Sequence, residues 1–141
     1  MSDKIVIPMK EFDKYGVSVH AKTMIGTFEN CFALRCKDGA NVTITQAQCA
    51  DYWQSAHSHK ATRELYFVWS GALIYASLCE DRIVLNTYKV GEFFSCEAGV
   101  AHTVFVDSGT VFGTAKFQLP GFEFPDYELE PEMDKRLHGI V

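Results

Sequence analysis

His57 and His59 stand one residue apart, Glu64 follows five residues after His59, and His102 lies well downstream. Three imidazoles and a carboxylate form a ligand set for a transition metal. Imidazole suits Zn, Cu, Fe and Ni, and the added carboxylate moves the set towards Mn or Fe. On a β-strand, side chains at i and i+2 share a face. His57 and His59 therefore point the same way, joined by Trp53 and Ser55 if the strand is regular. A turn near Ala61-Thr62 is expected to return the chain antiparallel. Glu64, Tyr66 and Val68 then face the two histidines across one ladder, and His102, Val104 and Val106 form a further same-face row.

A lone histidine on a half-buried strand is more often a hydrogen-bonded core residue than a ligand, and a His-x-His pair is weak evidence alone. Glu64 is the sharper signal. It opens the run Glu64-Leu65-Tyr66-Phe67-Val68-Trp69, which is otherwise apolar or aromatic. Burying a carboxylate without a partner is costly, and Arg63 next to it points to the opposite face. A metal shared with His57 and His59 would resolve that cost. His20 and His138 have no such company and read as surface or structural residues.

The elements that must position these groups are short strands separated by turn residues. Strands are expected over 15–19, 30–36, 41–46, 65–70, 72–79, 83–88, 92–96, 102–106 and 110–117, with 52–59 extended. Turns fall at 37–40, at 80–82 and at Asp107-Ser108-Gly109. Strands at this spacing, with almost no helical periodicity, imply a sandwich or barrel. From Pro120 onward the tail is rich in aromatics and acids, and Glu132 to Leu137 suits one or two helical turns behind Pro131. Such a tail either packs across the barrel or onto a partner subunit, or closes the barrel mouth as a lid; packing is the favoured reading.

Composition sets the outer limits. With 141 residues, 48% hydrophobic and 22% charged, the chain reads as one globular domain with its own core. A formal charge of −5 gives no electrostatic case for nucleic acid. The N-terminal segment reads as neither a signal peptide nor a membrane span. Cys31, Cys36, Cys49, Cys79 and Cys96 lack a Cys-x-x-Cys pair and are odd in number. They read as reduced, buried core thiols of a cytoplasmic protein.

The spacing resembles the two motifs of the cupin superfamily, G-x5-H-x-H-x3,4-E-x6-G and G-x5-P-x-G-x2-H-x3-N. His57, His59, Glu64 and Gly71 match the first motif, and Gly91, Gly99 and His102 match the second. Asp51 replaces the opening Gly, Glu97 the Pro and Val106 the closing Asn. These are turn-shaping positions rather than ligands, so the departures suggest only a looser turn at Glu97-Ala98-Gly99. The resemblance covers about residues 52–117.

The resemblance implies an all-β, double-stranded β-helix (a jelly-roll barrel) spanning 1–141 as a single domain, with a partly helical tail at 120–141. It implies a metal site inside the barrel made by His57, His59, Glu64 and His102, holding Fe, Mn, Zn or Ni. It also implies a homodimer, with Gly71 and Gly91 in turns. An open position on such a metal serves dioxygenase, lyase or isomerase chemistry on a small organic molecule. Trp53, Ser55, Tyr66, Tyr75, Phe94, Cys96, Val104 and Phe112 are candidate lining groups, and Tyr66 or Tyr75 could donate a proton. Two other readings stand beside this one. The first is a metal-independent ketoisomerase of nucleotide-linked sugars, with His57 and His59 as acid and base. The second is a non-catalytic small-ligand-binding module. No nucleic-acid or membrane partner is expected.

Overall fold

Alternation of apolar and polar residues drives most of this chain into strands. In the computed structural model the described residues are 17–23, 29–36, 40–47, 51–138 and 140. Among them the strands are β1 (Val17–Thr23), β2 (Glu29–Cys36), β3 (Asn41–Ala47), β4 (Tyr52–Trp53), β5 (His57–Ser58) and β6 (Thr62–Ser70). There follow β7 (Ala72–Cys79), β8 (Arg82–Lys89), β9 (Phe93–Cys96), β10 (His102–Val106), β11 (Val111–Gln118) and β12 (Glu128–Leu129), then helix α1 (Pro131–Leu137). One sheet has the order β1-β2-β3-β11-β6-β9 and the other β12-β5-β10-β7-β8, with β4 also paired to β10. The turn expected at Lys37-Asp38-Gly39, the start of the first expected strand, and the side chains of His20, Cys36 and Cys49 lie outside the described residues.

The two sheets face each other across one core. Inward positions of β6 alternate as read from the sequence, with Thr62, Glu64, Tyr66 and Val68 buried. They meet Phe94 and Cys96 of β9, Leu73 and Tyr75 of β7, Val104 and Val106 of β10 and Phe112 of β11. Aromatic rings fill this interior: Tyr66 stacks on Phe94 at 4.8 Å, and Tyr88 stacks on Phe94 at 4.1 Å. The barrel is thus packed solid along most of its length.

A second cluster lies on the outer face of the other sheet. Met133 and Leu137, four residues apart on α1, are buried against Ala56, Ala76 and Ala101, with Trp53 packed alongside. Pro131 suits the first helical turn, where a missing N–H costs nothing. The Asp134 carboxylate accepts the Ala56 N–H at 2.9 Å and ties the helix to the chain entering β5. The tail therefore packs across its own barrel.

Three expectations are corrected here. β5 and β6 are not neighbours on one ladder: β5 pairs with β10 and β12, whereas β6 pairs with β9 and β11. His57 of β5 and His59 just beyond it meet Glu64 across the gap between sheets. Trp53 and Ser55 do not join them. The extended segment breaks between β4 and β5, so Tyr52 packs on the inner core while Trp53 turns outward against Phe105 at 5.3 Å. Ser55 is exposed. Cys79 is exposed and Cys31 only half-buried, leaving Cys96 as the described thiol that is a buried core residue.

The motif glycines hold turns. Gly71 has φ +85°, and a Cβ there would lie 2.3 Å from the Thr110 hydroxyl oxygen. Gly91 also has φ +85°. Both are backbone conformations that L side chains resist. The positions that depart from the motif have their own fixings. The Asp51 carboxylate accepts the Ser108 N–H at 2.7 Å, Val106 is buried in the core, and Arg63 Nε donates to Glu97 at 2.9 Å.

Candidate metal centre

His57, His59, Glu64 and His102 converge at one end of the barrel. Their ligating atoms all lie within 4.8 Å of one another, and all four residues are buried. Two strand ladders and one backbone hydrogen bond bring them there. His57 faces His102 in the β5–β10 ladder, and Glu64 faces Cys96 in the β6–β9 ladder. Gly99 donates its N–H to the His59 carbonyl at 2.6 Å, which locks the second motif onto the first.

Each imidazole is anchored through Nδ1. His57 Nδ1 lies 2.8 Å from the Ser55 carbonyl, His59 Nδ1 2.5 Å from the Asp126 carbonyl, and His102 Nδ1 2.9 Å from the Val100 carbonyl. A carbonyl only accepts, so each Nδ1 carries a proton and Nε2 is the nitrogen that faces the cluster, able to ligate once it carries no proton of its own. The Cys96 sulfur sits 3.0 Å from the same Nδ1 of His102 and shares its proton.

The opposite ends of these groups find no such partners. Nε2 of His59, Nε2 of His102 and both oxygens of Glu64 are buried without a hydrogen bond. His59 Nε2 lies 2.5 Å and His102 Nε2 3.8 Å from the Glu64 carboxylate, but these contacts are electrostatic rather than aligned hydrogen bonds. Buried polar atoms are ordinarily satisfied. Four orphaned donors and acceptors aimed at a common point fit a divalent cation.

Electrostatics follow from the crowding. Burial, then the nearby charge of His102, pushes His57 down to about 4. Burial alone would raise the Glu64 carboxyl and lower His102. Instead His102, His59 and Lys116 hold Glu64 well below the usual carboxylate range, while Cys96 and Glu64 push His102 up to about 10. Tyr66 and Tyr75 are buried, and burial first, then for Tyr66 the Glu64 charge and for Tyr75 the Cys96 sulfur, raises both phenols above their ordinary value. They are neutral hydroxyls at neutral pH. Of the other expected lining groups, Phe94, Phe112 and Val104 belong to the core that floors the site.

Three residues absent from the sequence expectation touch this centre. Lys116 of β11 pairs opposite Glu64, with Nζ 3.6 Å from its carboxylate. The inward alternation Phe112-Thr114-Lys116 was a signal that could have found it. Asp126 and Tyr127 come from the strap between β11 and β12. The Tyr127 ring stacks on His57 with centroids 4.8 Å apart. The Asp126 carboxylate accepts the N–H groups of Lys60 (2.6 Å) and Ala61 (2.9 Å) and the Thr62 hydroxyl (2.6 Å). A cleft of about 300 Å³ opens beside the strap, lined in part by Ser58, Lys60, Phe124, Asp126 and Tyr127. His138, by contrast, is exposed at the end of α1, away from the cluster.

No protein-family profile matches the sequence, and no curated protein does. Solved structures do match in fold. Oxalate decarboxylase from Bacillus subtilis at pH 4.6 superposes with a TM-score of 0.64 at 11% identity, over 87% of this chain and 35% of that one. A form of the same enzyme used to assign its Mn(II) centres superposes at 0.63 with 13% identity, again over 87% and 35%. This chain thus spans about a third of the length of those structures. Among the described residues no helix is long and apolar enough to cross a membrane. Two facing antiparallel sheets, shared in fold with those solved structures, and four convergent side chains give this chain a jelly-roll barrel with a candidate metal centre at one end.

Proposed function

We propose that this chain is a metal-dependent cupin enzyme acting on a small organic molecule, with a divalent transition metal held by His57, His59, Glu64 and His102. The observation that carries the reading is the polarity of the three imidazoles. Every Nδ1 is tied to a backbone carbonyl, while the buried Nε2 atoms of His59 and His102 and both Glu64 oxygens lack hydrogen bonds. Groups that merely packed a core would have their polar atoms paired within the protein.

Such a metal, when bound, supplies Lewis-acid polarisation of a substrate oxygen or an activated ligand at a position the protein leaves open. The surrounding residues supply the rest. Aromatic side chains behind the cluster exclude water from the interior. The Tyr66 hydroxyl, neutral and close to Glu64, serves as a proton donor in this reading, with Tyr75 behind it. The strap sets the orientation of His59 and covers His57. Mn is the first metal to test, because a carboxylate joins the imidazoles and because oxalate decarboxylase, which shares the fold, has Mn(II) centres. Fe, Ni and Zn follow.

The test is elemental analysis of protein purified without chelator, wild type beside a His57→Ala, His102→Ala double variant. Near-stoichiometric metal in the wild type and none in the variant is expected. Fe would direct assays to dioxygenase chemistry, Mn or Zn to lyase and isomerase chemistry. Metal absent from both, with no uptake on reconstitution, would overturn the reading.

A further inference from the structure

Lys116 presents a positive charge beside a centre that is itself expected to be positive. It stands directly opposite Glu64 in the β6–β11 ladder, so both side chains project from the same face of the sheet. Its Nζ lies 3.6 Å from Glu64 Oε1, yet the Lys116 side chain is 30% exposed while that of Glu64 is 1% exposed. The lysine therefore reaches from solvent to the rim of a buried cluster. Two residues further on, the Thr62 hydroxyl donates to Gln118 at 2.9 Å, and the Leu119 N–H then bonds the Ala61 carbonyl where the strap leaves β11. Lys116 thus lies at the strap end of the barrel.

Resting on the metal-binding reading above, we infer that Lys116 is a specificity-determining residue that selects a small carboxylate as substrate. Glu64 has one negative charge to offer, and both a divalent cation and the Lys116 ammonium compete for it. A carboxylate that serves the metal has less charge to share with the ammonium, which is then only partly neutralised beside the centre. The Asp126 carboxylate on the strap already accepts the Lys60 and Ala61 amides and the Thr62 hydroxyl. A divalent metal, one carboxylate and one ammonium sum to a net charge of about +2, and a part-buried site of that charge attracts an anion. A carboxylate oxygen takes a charge-assisted hydrogen bond from an ammonium, which a neutral ligand of the same size does not match.

Co(II)-loaded protein tests this, because its visible spectrum reports ligand binding without turnover. Malonate is the anionic probe and imidazole the neutral one, titrated into wild type, Lys116→Met, Lys116→Gln and Lys116→Arg. Malonate binding is expected to weaken about 10–100-fold in the Met and Gln variants and to recover in the Arg variant. Imidazole binding and Co(II) stoichiometry are expected to hold in all four proteins. Equal malonate affinity in wild type and both neutral variants would overturn the inference and leave the metal reading intact. Parallel weakening of malonate and imidazole would also overturn it, since that marks a disturbed centre rather than a lost charge contact. A wild type that takes up no Co(II) would bring down the metal reading and this inference with it.

Discussion

His59 and Asp126 hold each other in place. The backbone carbonyl of Asp126 accepts the His59 Nδ1 proton at 2.5 Å, while its carboxylate receives the amides of Lys60 and Ala61, the residues directly after His59. One strap residue thus orients a ligand ring from two sides. The consequence is that metal affinity depends on a segment far from the ligands in sequence.

Asp126→Ala keeps the backbone carbonyl that accepts from His59 but removes the carboxylate that fixes the strap to Lys60, Ala61 and Thr62, so metal affinity is expected to fall by less than the about 10–100-fold that follows loss of the orienting partner itself. Competition against a chelating dye measures it. The same carboxylate predicts an acid response. Burial raises its pKa, but the Thr62 hydroxyl and the Ala61 and Lys60 amides outweigh that, so the folded value lies below 3.8. A depressed carboxyl contributes stability above its unfolded pKa and loses it as pH falls through the folded value. Exchange protection of the Lys60 and Ala61 amides is expected to be flat from pH 7 to pH 4, after correction for intrinsic rates, and to fall below that. Asp126→Asn should abolish the dependence; unchanged acid loss in that variant would assign it to another group.

Glu64→Gln keeps the shape of the side chain and removes its charge. Metal content is expected to drop to a small fraction of wild type, because an amide oxygen is a far weaker ligand for Mn or Fe than a carboxylate. Elemental analysis after dialysis reads this directly. Full occupancy in the variant would mean that Glu64 lies beside the metal and does not bind it.

Metal uptake is expected to release about one proton at pH 7. His57, pushed down to about 4, is already neutral there; His102, raised to about 10, is protonated and must give up that proton to bind. Apparent affinity should therefore rise with pH between 7 and 9. Calorimetric titration in two buffers of different ionisation enthalpy counts the protons, and a count of zero would contradict the protonated His102.

Leu137 is fully buried beneath α1, although the helix has only seven residues. Leu137→Ala is expected to destabilise the protein by about 2–5 kcal/mol, the usual range for a core leucine. Urea denaturation measures the loss. Metal stoichiometry of the folded variant should be unchanged, since α1 packs on the sheet face opposite the centre.

The four candidate ligands and most strand positions were legible in the sequence because both signals are local. The period of two on β6 sends Glu64, Tyr66 and Val68 inward whatever lies opposite, and His57-x-His59 reads from spacing alone. The face of Trp53 was not legible, because the break between β4 and β5 resets the alternation and only the pairing with β10 shows where it resets. The sheet partners of β5 and β6 were likewise decided by the tertiary structure. A pattern of alternating residues states which face is apolar and leaves the neighbouring strand unnamed. Asp126 meets His59 across 67 positions of sequence, and Lys116 meets Glu64 only through the β6–β11 register. The sequence by itself determined which side chains point inward; the long-range pairing of strands decided which of them meet, because that choice depends on packing two sheets around a single core.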